Sequence, residues 1–540
     1  MTNFENGING ATGDYLFPIR PSKTTADIAR QTSIDKSHLN DLKDRNRALR
    51  QQTKAPAAWV DPANLANAGW GVIFAETYTG YTLDALKSDD GLGQLLRHRQ
   101  QQATQQVETY YRECIYRSGQ SKKDFLKAHQ APLSGAVDPD RGMPYYLLIV
   151  GDPITIPYEF QYQLDVQYAV GRLYFDQLED YAYYAQSVIR AEQGQAQRPR
   201  HISLWGARNR NDKATRLSAD KLVQPLSDWL TSGKAPGWDC PTHLATEATK
   251  ANLHQQLNGD SAPAVLFTAS HGVGYPSDDP HQKDFQGALV CQEWNPFSGQ
   301  PDPETQLFSA ADIQSDANFH GLIAFHFACY GLGTPQHNNF AHRDGEKALA
   351  EAPFVARLPQ KLLSHPKGGA LAVIGHVDRA FSDSFQVAKI QQLAVFQSVL
   401  KCLIDQRPVG YAMEFFDQQY AELAADCNLG IRNGDVSDAD LSALWTGSTN
   451  ARNYAIFGDP AVTVAATSSV STESRKPLGA KVWFQPSGIA SAKVTDQASL
   501  TPQLLRQLET QIKTLEKENA DLKAEVAALR EKISTFEAGQ

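Results

Sequence analysis

From residue 145 onward, short apolar runs alternate with longer amphipathic stretches along the chain. The runs typical of strands span residues 145–150, 201–205, 264–270, 321–328, 370–374 and 461–465. Helical periodicity fills the intervals, and such alternation is typical of an α/β sheet covered by helices on both faces. Because the runs lack polar alternation, they indicate strands buried on both faces, as in a parallel sheet. We therefore predict an α/β fold with a mostly parallel sheet sandwiched by helices.

Two of these runs lead into a reactive side chain. The run VLFTAS precedes His271, and the run LIAFHFA precedes Cys329. Ligands and chemistry lie beyond the carboxyl ends of the strands in such sheets. We therefore expect both residues on the same edge of the sheet.

An imidazole beside a thiol is suited to acyl transfer. A free thiol with a pKa of about 8.5 is a poor nucleophile at neutral pH, and a nearby histidine both generates thiolate and later protonates the leaving amine. Gly272 and Gly331 follow the two residues, and glycine lets backbone approach a substrate closely. The N–H groups of Gly272 and Cys329 are therefore the predicted oxyanion hole.

The two blocks resemble the signature of a known peptidase clan. A hydrophobic block followed by His-Gly, and a second followed by Ala-Cys, is similar to the caspase-fold (clan CD) cysteine peptidases, in particular the gingipain-type peptidases. Further stretches in the family's order are YYLLIVGDPITIP, AVGRLYF, GGALAVIGHV and YAIFGDPAVTV, and together the resemblance covers roughly residues 145–465. It implies a caspase-like cysteine endopeptidase that acts on protein or peptide substrates.

The resemblance leaves the acidic partner of His271 open. In the corresponding stretch, LWGARNRND, Arg208 and Asn209 stand where a carboxylate is wanted. We therefore predict a catalytic dyad of Cys329 and His271.

Four residues are candidates for substrate binding. His376, Asp378 and Arg379 follow the run ending at residue 374, and in the family this segment lines one wall of the specificity pocket. Asp220 is placed like the acid with which gingipains select basic residues. Alternatively, Asp220 stabilises a helix N-terminus, and Asp378 with Arg379 forms a surface ion pair. An acid at the pocket floor predicts cleavage after Arg or Lys, whereas Arg379 would favour acidic residues.

A cluster of metal-ligating residue types offers a rival hypothesis, a zinc-dependent hydrolase. The cluster comprises His320, His326, Cys329, His337 and His342. On an extended strand His326 and Cys329 point to opposite faces, which counts against a shared metal ion. We therefore expect no metal and no cofactor, with His326 a packing or supporting residue.

The 540 residues predict several units. We assign a flexible lead-in, an N-terminal region, a first α/β subdomain, a catalytic caspase-like subdomain, a linker and a coiled coil. Their predicted bounds are 1–55, 56–140, 141–240, 241–466, 467–500 and 501–536.

The last segment has the heptad pattern of a leucine zipper. The a positions are Leu505, Ile512, Asn519, Val526 and Ile533, and the d positions are Leu508, Leu515, Leu522 and Leu529. β-Branched residues at a and Leu at d favour a parallel dimer, and a buried Asn519 fixes register and two strands. We predict a homodimer through residues 501–536.

Composition limits the classes of binding partner and the cellular compartment that we expect for this protein. The net charge of −9 argues against nucleic acid, whose phosphates need a basic face. Six scattered cysteines without CxxC spacing suit reduced thiols, and we find neither a signal-peptide pattern nor an apolar run of membrane-spanning length. We expect a cytoplasmic protein with no membrane partner. A catalytically inactive caspase-fold scaffold, working through its zipper, is the alternative function.

Overall fold

A computed structural model describes residues 4–16, 21–32, 36–50, 56–258, 262–340, 348–387 and 390–467. The predicted coiled coil (501–536) lies outside the described residues, as does nearly all of the predicted linker. None of the described helices is both long and apolar enough to span a membrane.

The strands and helices follow in chain order. The strands are β1 (Gly7–Asn9), β2 (Trp70–Ala75), β3 (Tyr111–Tyr116), β4 (Tyr146–Val150), β5 (Ala169–Leu173), β6 (Arg198–Pro199), β7 (Ile202–Gly206), β8 (Thr242–Leu244), β9 (Val265–Ala269), β10 (Gly272–Gly274), β11 (Leu289–Val290), β12 (Leu307–Phe308), β13 (Ile323–Phe327), β14 (Gly333–Thr334), β15 (Phe354–Val355), β16 (Ala372–His376), β17 (Gln386–Val387), β18 (Ile390–Gln391), β19 (Tyr454–Gly458) and β20 (Ala466–Thr467). The α-helices are α1 (Ser22–Gln31), α2 (Lys36–Arg50), α3 (Leu65–Ala68), α4 (Leu83–Lys87), α5 (Gly93–Ala103), α6 (Lys122–Ala128), α7 (Tyr158–Asp165), α8 (Leu178–Glu192), α9 (Lys213–Ser218), α10 (Gln224–Trp229), α11 (Lys250–Asn258), α12 (Gln282–Phe285), α13 (Arg357–Leu363), α14 (Ala394–Ile404), α15 (Val409–Asn433) and α16 (Asp438–Arg452).

One ten-stranded sheet forms the centre, in the order β3-β2-β4-β5-β19-β16-β13-β9-β7-β8. Neighbouring strands are parallel except at β19 and β16, which pair antiparallel. The sheet therefore has two parallel halves that run in opposite directions. A smaller sheet, in the order β1-β10-β11-β12, lies beyond the end of β9.

Aromatic packing fixes the strands beneath the two reactive residues. Phe325 on β13 lies opposite Phe267 on β9, with ring centroids 4.9 Å apart. Phe396 of α14 contacts both rings, and Phe416 of α15 packs on Phe325 and Phe396. All four side chains are buried. Close-packed interiors deform little, so this packing fixes the positions of the ends of β9 and β13 relative to each other.

The α/β class and the mostly parallel sheet are confirmed, and five of the six predicted strand runs fall on central strands. The sixth, residues 461–465, is wrong because the strand here is β19, which ends at Gly458. Gly458 has a φ of +132° and is followed by Asp459 and Pro460, so the chain turns where the apolar run begins.

The described part of residues 1–55 differs from the predicted flexible lead-in. The strand β1 pairs with β10, helix α1 packs on α16, and helix α2 packs on α15. Where α1 packs on α16, the small apolar side chains of Ala26 and Ala29 lie against Trp445. The predicted subdomain boundary at residue 240 likewise does not divide the sheet, because β7 and β8 join the half that contains β9 and β13.

Candidate functional site

The strands β9 and β13 are parallel neighbours, and both reactive residues follow their carboxyl ends. Phe327, the last residue of β13, lies opposite Ala269, the last residue of β9. One residue on, the Ser270 N–H donates to the Phe327 carbonyl at 3.2 Å. His271 and Cys329 therefore emerge side by side on the same edge of the sheet.

Cys329 is completely buried, and its sulfur lies against the segment after β16. The Ala380 N–H donates to Sγ at 3.2 Å, and the thiol contacts the Ala380 carbonyl at 3.7 Å. Burial, and then the nearby Glu5 carboxylate, raise the pKa of the Cys329 thiol well above its ordinary value. The thiol is therefore protonated in this arrangement of the chain.

His271 is held by a carboxylate that sequence analysis did not identify. Its Nε2 lies 2.8 Å from Oδ2 of Asp212, and both side chains are buried. The rings of Tyr15 and Trp294 meet the imidazole edge to face, each with its centroid 5.7 Å away. His271 Nδ1 is buried without a hydrogen-bond partner among the described residues. With the proton on Nε2, Nδ1 carries a free lone pair and can act as a base.

Asp212 is kept ionised by its surroundings. Burial opposes ionisation, but His271 and the hydrogen bonds from Thr215 and Tyr15 hold the pKa of Asp212 well below its ordinary value. Thr215 donates through both its N–H, at 2.8 Å, and its hydroxyl, at 2.5 Å. Asp212 is also the N-cap of α9, so the same carboxylate begins a helix and orients an imidazole.

The two residues that stand where a carboxylate was wanted in the sequence have other partners. Arg208 forms an ion pair with Asp220, and the Asn209 amide donates to the carbonyls of Cys291 and Trp294. Strand β7 is the parallel neighbour of β9, so residues after its carboxyl end reach the same edge. An aspartate six residues beyond β7, directly before a helix, was the available signal for Asp212.

The predicted oxyanion donors converge on one oxygen of the chain itself. The Gly272 N–H donates to the carbonyl of Asn6 at 2.9 Å, and the Cys329 N–H donates to the same oxygen at 3.0 Å. Gly272 can take this position because it lacks a side chain: a Cβ here would lie 1.8 Å from the carbonyl oxygen of Cys329. The two N–H groups thus form a working pair of donors beside the thiol.

Asp220 does not lie in a pocket. Its carboxylate receives both Nε and Nη2 of Arg208, at 2.9 and 3.0 Å, and both side chains are more than two-fifths exposed. An exposed, satisfied carboxylate cannot form the floor of a buried specificity pocket. The expectation of cleavage after basic residues therefore loses this support.

The candidate residues at and after the end of β16 differ in what they contact. His376 Nε2 donates to the Asn450 carbonyl at 3.0 Å, and burial lowers its pKa to about 4. Asp378, with a φ of +80°, accepts from Asn339, and its backbone carbonyl receives the Tyr330 N–H. These contacts make both residues parts of the framework under the segment 380–382.

Arg379 contacts Glu5, a residue of the N-terminal segment that lies near Cys329. Its Nε lies 3.5 Å from Asp378, and its Nη1 lies 3.6 Å from the Glu5 carboxylate. The guanidinium also stacks on the ring of Phe340, 4.5 Å from its centroid. The pair with Asp378 is therefore a buried one, unlike the surface pair considered from the sequence.

The histidine proposed as a packing residue, His326, bonds to Thr268 at 2.8 Å, and burial lowers its pKa to about 4. Within the part of the chain that the structure describes, no group of three or more His, Cys, Asp or Glu side chains is placed to hold a metal ion.

Comparison with known proteins gives three findings. The sequence matches the model of Peptidase family C25 over residues 78–465. One matched structure, titled as that of a protease, shares 11% identity and a TM-score of 0.44, over 77% of this chain and 81% of that one. Another, the Arg-specific cysteine proteinase gingipain R, shares 14% identity and a TM-score of 0.41, over 74% and 78%. No curated protein matches the chain.

The family match covers well over half of the 540 residues and contains Asp212, His271 and Cys329. The chain belongs to Peptidase family C25, the gingipain family of clan CD, and is a cysteine-type peptidase.

Proposed function

We propose that this peptidase is an endopeptidase in which Cys329 is the nucleophile, His271 the general base and Asp212 the residue that orients the imidazole. The observation that carries the proposal is the convergence of the Gly272 and Cys329 N–H groups on one carbonyl oxygen beside the thiol. Donors so placed stabilise the negative charge that develops on a carbonyl oxygen during acyl transfer.

The reaction uses these groups in sequence. His271 Nδ1 takes the thiol proton as Sγ bonds to the carbonyl carbon of the substrate, and the electron pair moves to the oxygen held by Gly272 and Cys329. When the carbon–nitrogen bond breaks, the leaving amine takes the proton from His271. A water molecule, deprotonated by the same imidazole, then attacks the thioester, which releases the new carboxylate and restores the thiol.

Asp212 supports each proton transfer without changing its own charge. Its carboxylate accepts from Nε2, fixes the tautomer with a free Nδ1, and stabilises the imidazolium that forms when the thiol loses its proton. Its lowered pKa keeps it ionised at neutral pH. The site therefore works as a triad instead of the dyad predicted from sequence.

The test combines peptide hydrolysis with mapping of the thiols. The full-length protein is incubated with a peptide library, its activity is titrated with iodoacetamide, and modified cysteines are identified by mass spectrometry. We expect activity to fall in step with alkylation of Cys329. The half-buried Cys240 and Cys402 serve as internal controls, and their modification should leave activity unchanged. Activity that persists with Cys329 fully alkylated would refute the assignment, and an absence of hydrolysis would favour the scaffold alternative.

We also propose that the protein is a cytoplasmic homodimer. The heptad pattern of residues 501–536 supports the assembly, and the six free cysteines support a reducing compartment. Deletion from Thr501 onward should leave a folded protein of lower assembly order, and Asn519→Ile should shift the zipper toward three or more strands. Light scattering measures both. A full-length monomer at micromolar concentration would rule out the homodimer.

A further inference from the structure

The N-terminal segment Phe4–Gly7 lies along the site in an extended conformation. The Ser382 N–H donates to the Phe4 carbonyl, and the Asn6 N–H donates to the Ala380 carbonyl, both at 2.8 Å. Glu5 forms an antiparallel bridge with Phe381. An added strand of this kind is how extended peptides bind to a sheet edge. The segment precedes the family match, which begins at residue 78.

The segment presents one peptide bond to the thiol. The Asn6 carbonyl occupies the two oxyanion donors, and Gly7 packs on Cys329 so closely that a Cβ there would lie 2.7 Å from Sγ. From Gly7 the chain continues as β1, paired with β10. Asn6 therefore holds the position of a substrate residue on the acyl side of the scissile bond, and Gly7 that of the residue on the leaving side.

The Asn6 side chain is buried, and both groups that its amide nitrogen contacts are uncharged. It is fully buried, and its Nδ2 donates to Ser218 Oγ at 3.2 Å and to the Ser270 carbonyl at 3.3 Å. Ser218 uses its own proton on the Thr215 carbonyl at 3.1 Å, so its oxygen is an acceptor toward Asn6. Both groups that meet the Asn6 amide nitrogen are thus acceptors.

This arrangement discriminates among side chains. An aspartate would set a carboxylate oxygen against the Ser270 carbonyl, and a lysine or arginine would bring a charge into a buried pocket whose two contacting groups are uncharged. Glutamine carries one methylene more than a side chain that already fills a buried space. Asparagine alone among these offers an N–H donor of the right length without charge.

Resting on the function proposed above, we propose that the cleft selects asparagine on the acyl side of the scissile bond, and that Phe4–Gly7 occupies it as an internal, substrate-like competitor. Glu5 contributes to this occupancy through its ion pair with Arg379. The occupied cleft also accounts for the burial of Cys329, which together with the Glu5 carboxylate raises the pKa of the thiol. Displacement of the segment would open the site and favour the thiolate.

The probes are acetyl-Phe-Glu-Xaa-aminomethylcoumarin peptides, which copy the chain's own residues 4–6, with Xaa being Asn, Gln, Asp, Arg or Lys. We expect kcat/KM for the Asn peptide to exceed that for each other peptide by at least about tenfold, because a pocket built for one hydrogen-bond donor rejects side chains that lack it. The variants Asn6→Ala and Asn6→Asp should each raise kcat/KM for the Asn peptide by about tenfold or more. The reason is that apparent affinity for a substrate scales with the fraction of molecules whose site is free.

The matched control is Asn9→Ala, which removes an asparagine whose side chain accepts from the nearby Ala11 N–H. It should leave the full-length rate unchanged. Faster cleavage after Arg, Lys or Asp than after Asn would overturn the proposed selectivity and leave the peptidase assignment standing. Equal rates for Asn6→Ala, Asn6→Asp and the full-length protein would overturn the internal competitor. Failure of all peptides with all variants, together with unmodified Cys329 after iodoacetamide treatment, would instead refute the proposed function.

Discussion

Replacing Cys329 with alanine is expected to lower kcat/KM for peptide hydrolysis by at least about a thousandfold, because it removes the group that bonds to the carbonyl carbon. The fold should survive, since the substitution deletes one sulfur atom whose hydrogen-bonding contacts are with the backbone of Ala380. Initial rates on the peptide library, with thermal unfolding of the same preparation, measure both effects.

A second variant tests whether the thiol and imidazole act together. His271→Ala should be nearly as severe, and the double variant should be no slower than the worse single one, because losses within a catalytic unit are not additive. Cys427→Ala, another buried cysteine on α15 between α1 and α16, is the control that should retain activity. Full activity in Cys329→Ala, or strictly additive losses, would show that the two residues do not form a unit.

Much of this site was predictable because strand ends are encoded locally. Apolar runs fix where a buried strand ends, and parallel neighbours bring their ends together, so His271 and Cys329 could be paired from sequence. The donors followed from the same reasoning, because backbone N–H positions depend on the turn after each strand. What these residues do chemically remains a proposal that the variants above test.

Contacts made by distant residues were not predictable in this way. Asp212 reaches His271 only because β7 lies next to β9. The order of strands in a sheet cannot be predicted from the apolar pattern of any single strand. Asp220 looked similar in the sequence, yet it turns outward to Arg208. Two aspartates eight residues apart thus differ in burial and partner, which periodicity alone does not separate.

The N-terminal segment shows a second limit. Residues 4–16 lack hydrophobic periodicity and belong to a polar stretch, so composition indicated a loose lead-in, whereas most of their hydrogen bonds are made by backbone groups. Pairing with β10 and with the segment 380–382 makes few demands on side chains. It requires a small residue at Gly7 and a side-chain hydrogen-bond donor at Asn6. Hydrophobic patterning does not detect such binding.

Replacing Asp212 with asparagine is expected to lower kcat by about a hundredfold to ten-thousandfold with little change in KM. The uncharged amide no longer stabilises the imidazolium that forms when His271 takes the thiol proton. An amide whose NH2 group faces Nε2 also donates to it, which selects the tautomer with the proton on Nδ1 and removes the base. Oδ2 of Asp212 accepts from both His271 and Thr215, so an amide oxygen retained in this position keeps the N-cap, whereas an NH2 group there loses it. Stopped assays with the Asn peptide and the thiol titration together separate slow chemistry from weak binding.

Stability gives an independent readout of the same carboxylate. Because the folded-state pKa of Asp212 lies below its unfolded value of about 3.9, its ionised form stabilises the fold above that pH, and this contribution is lost as the pH falls further. The Tm of the parent should therefore exceed that of Asp212→Asn at pH 7, with a difference that shrinks below about pH 4. Asp220→Asn, which alters only an exposed pair, should change neither kcat nor this pH dependence. An Asp212→Asn variant with parental kcat would show that His271 works without its carboxylate, which would restore the dyad.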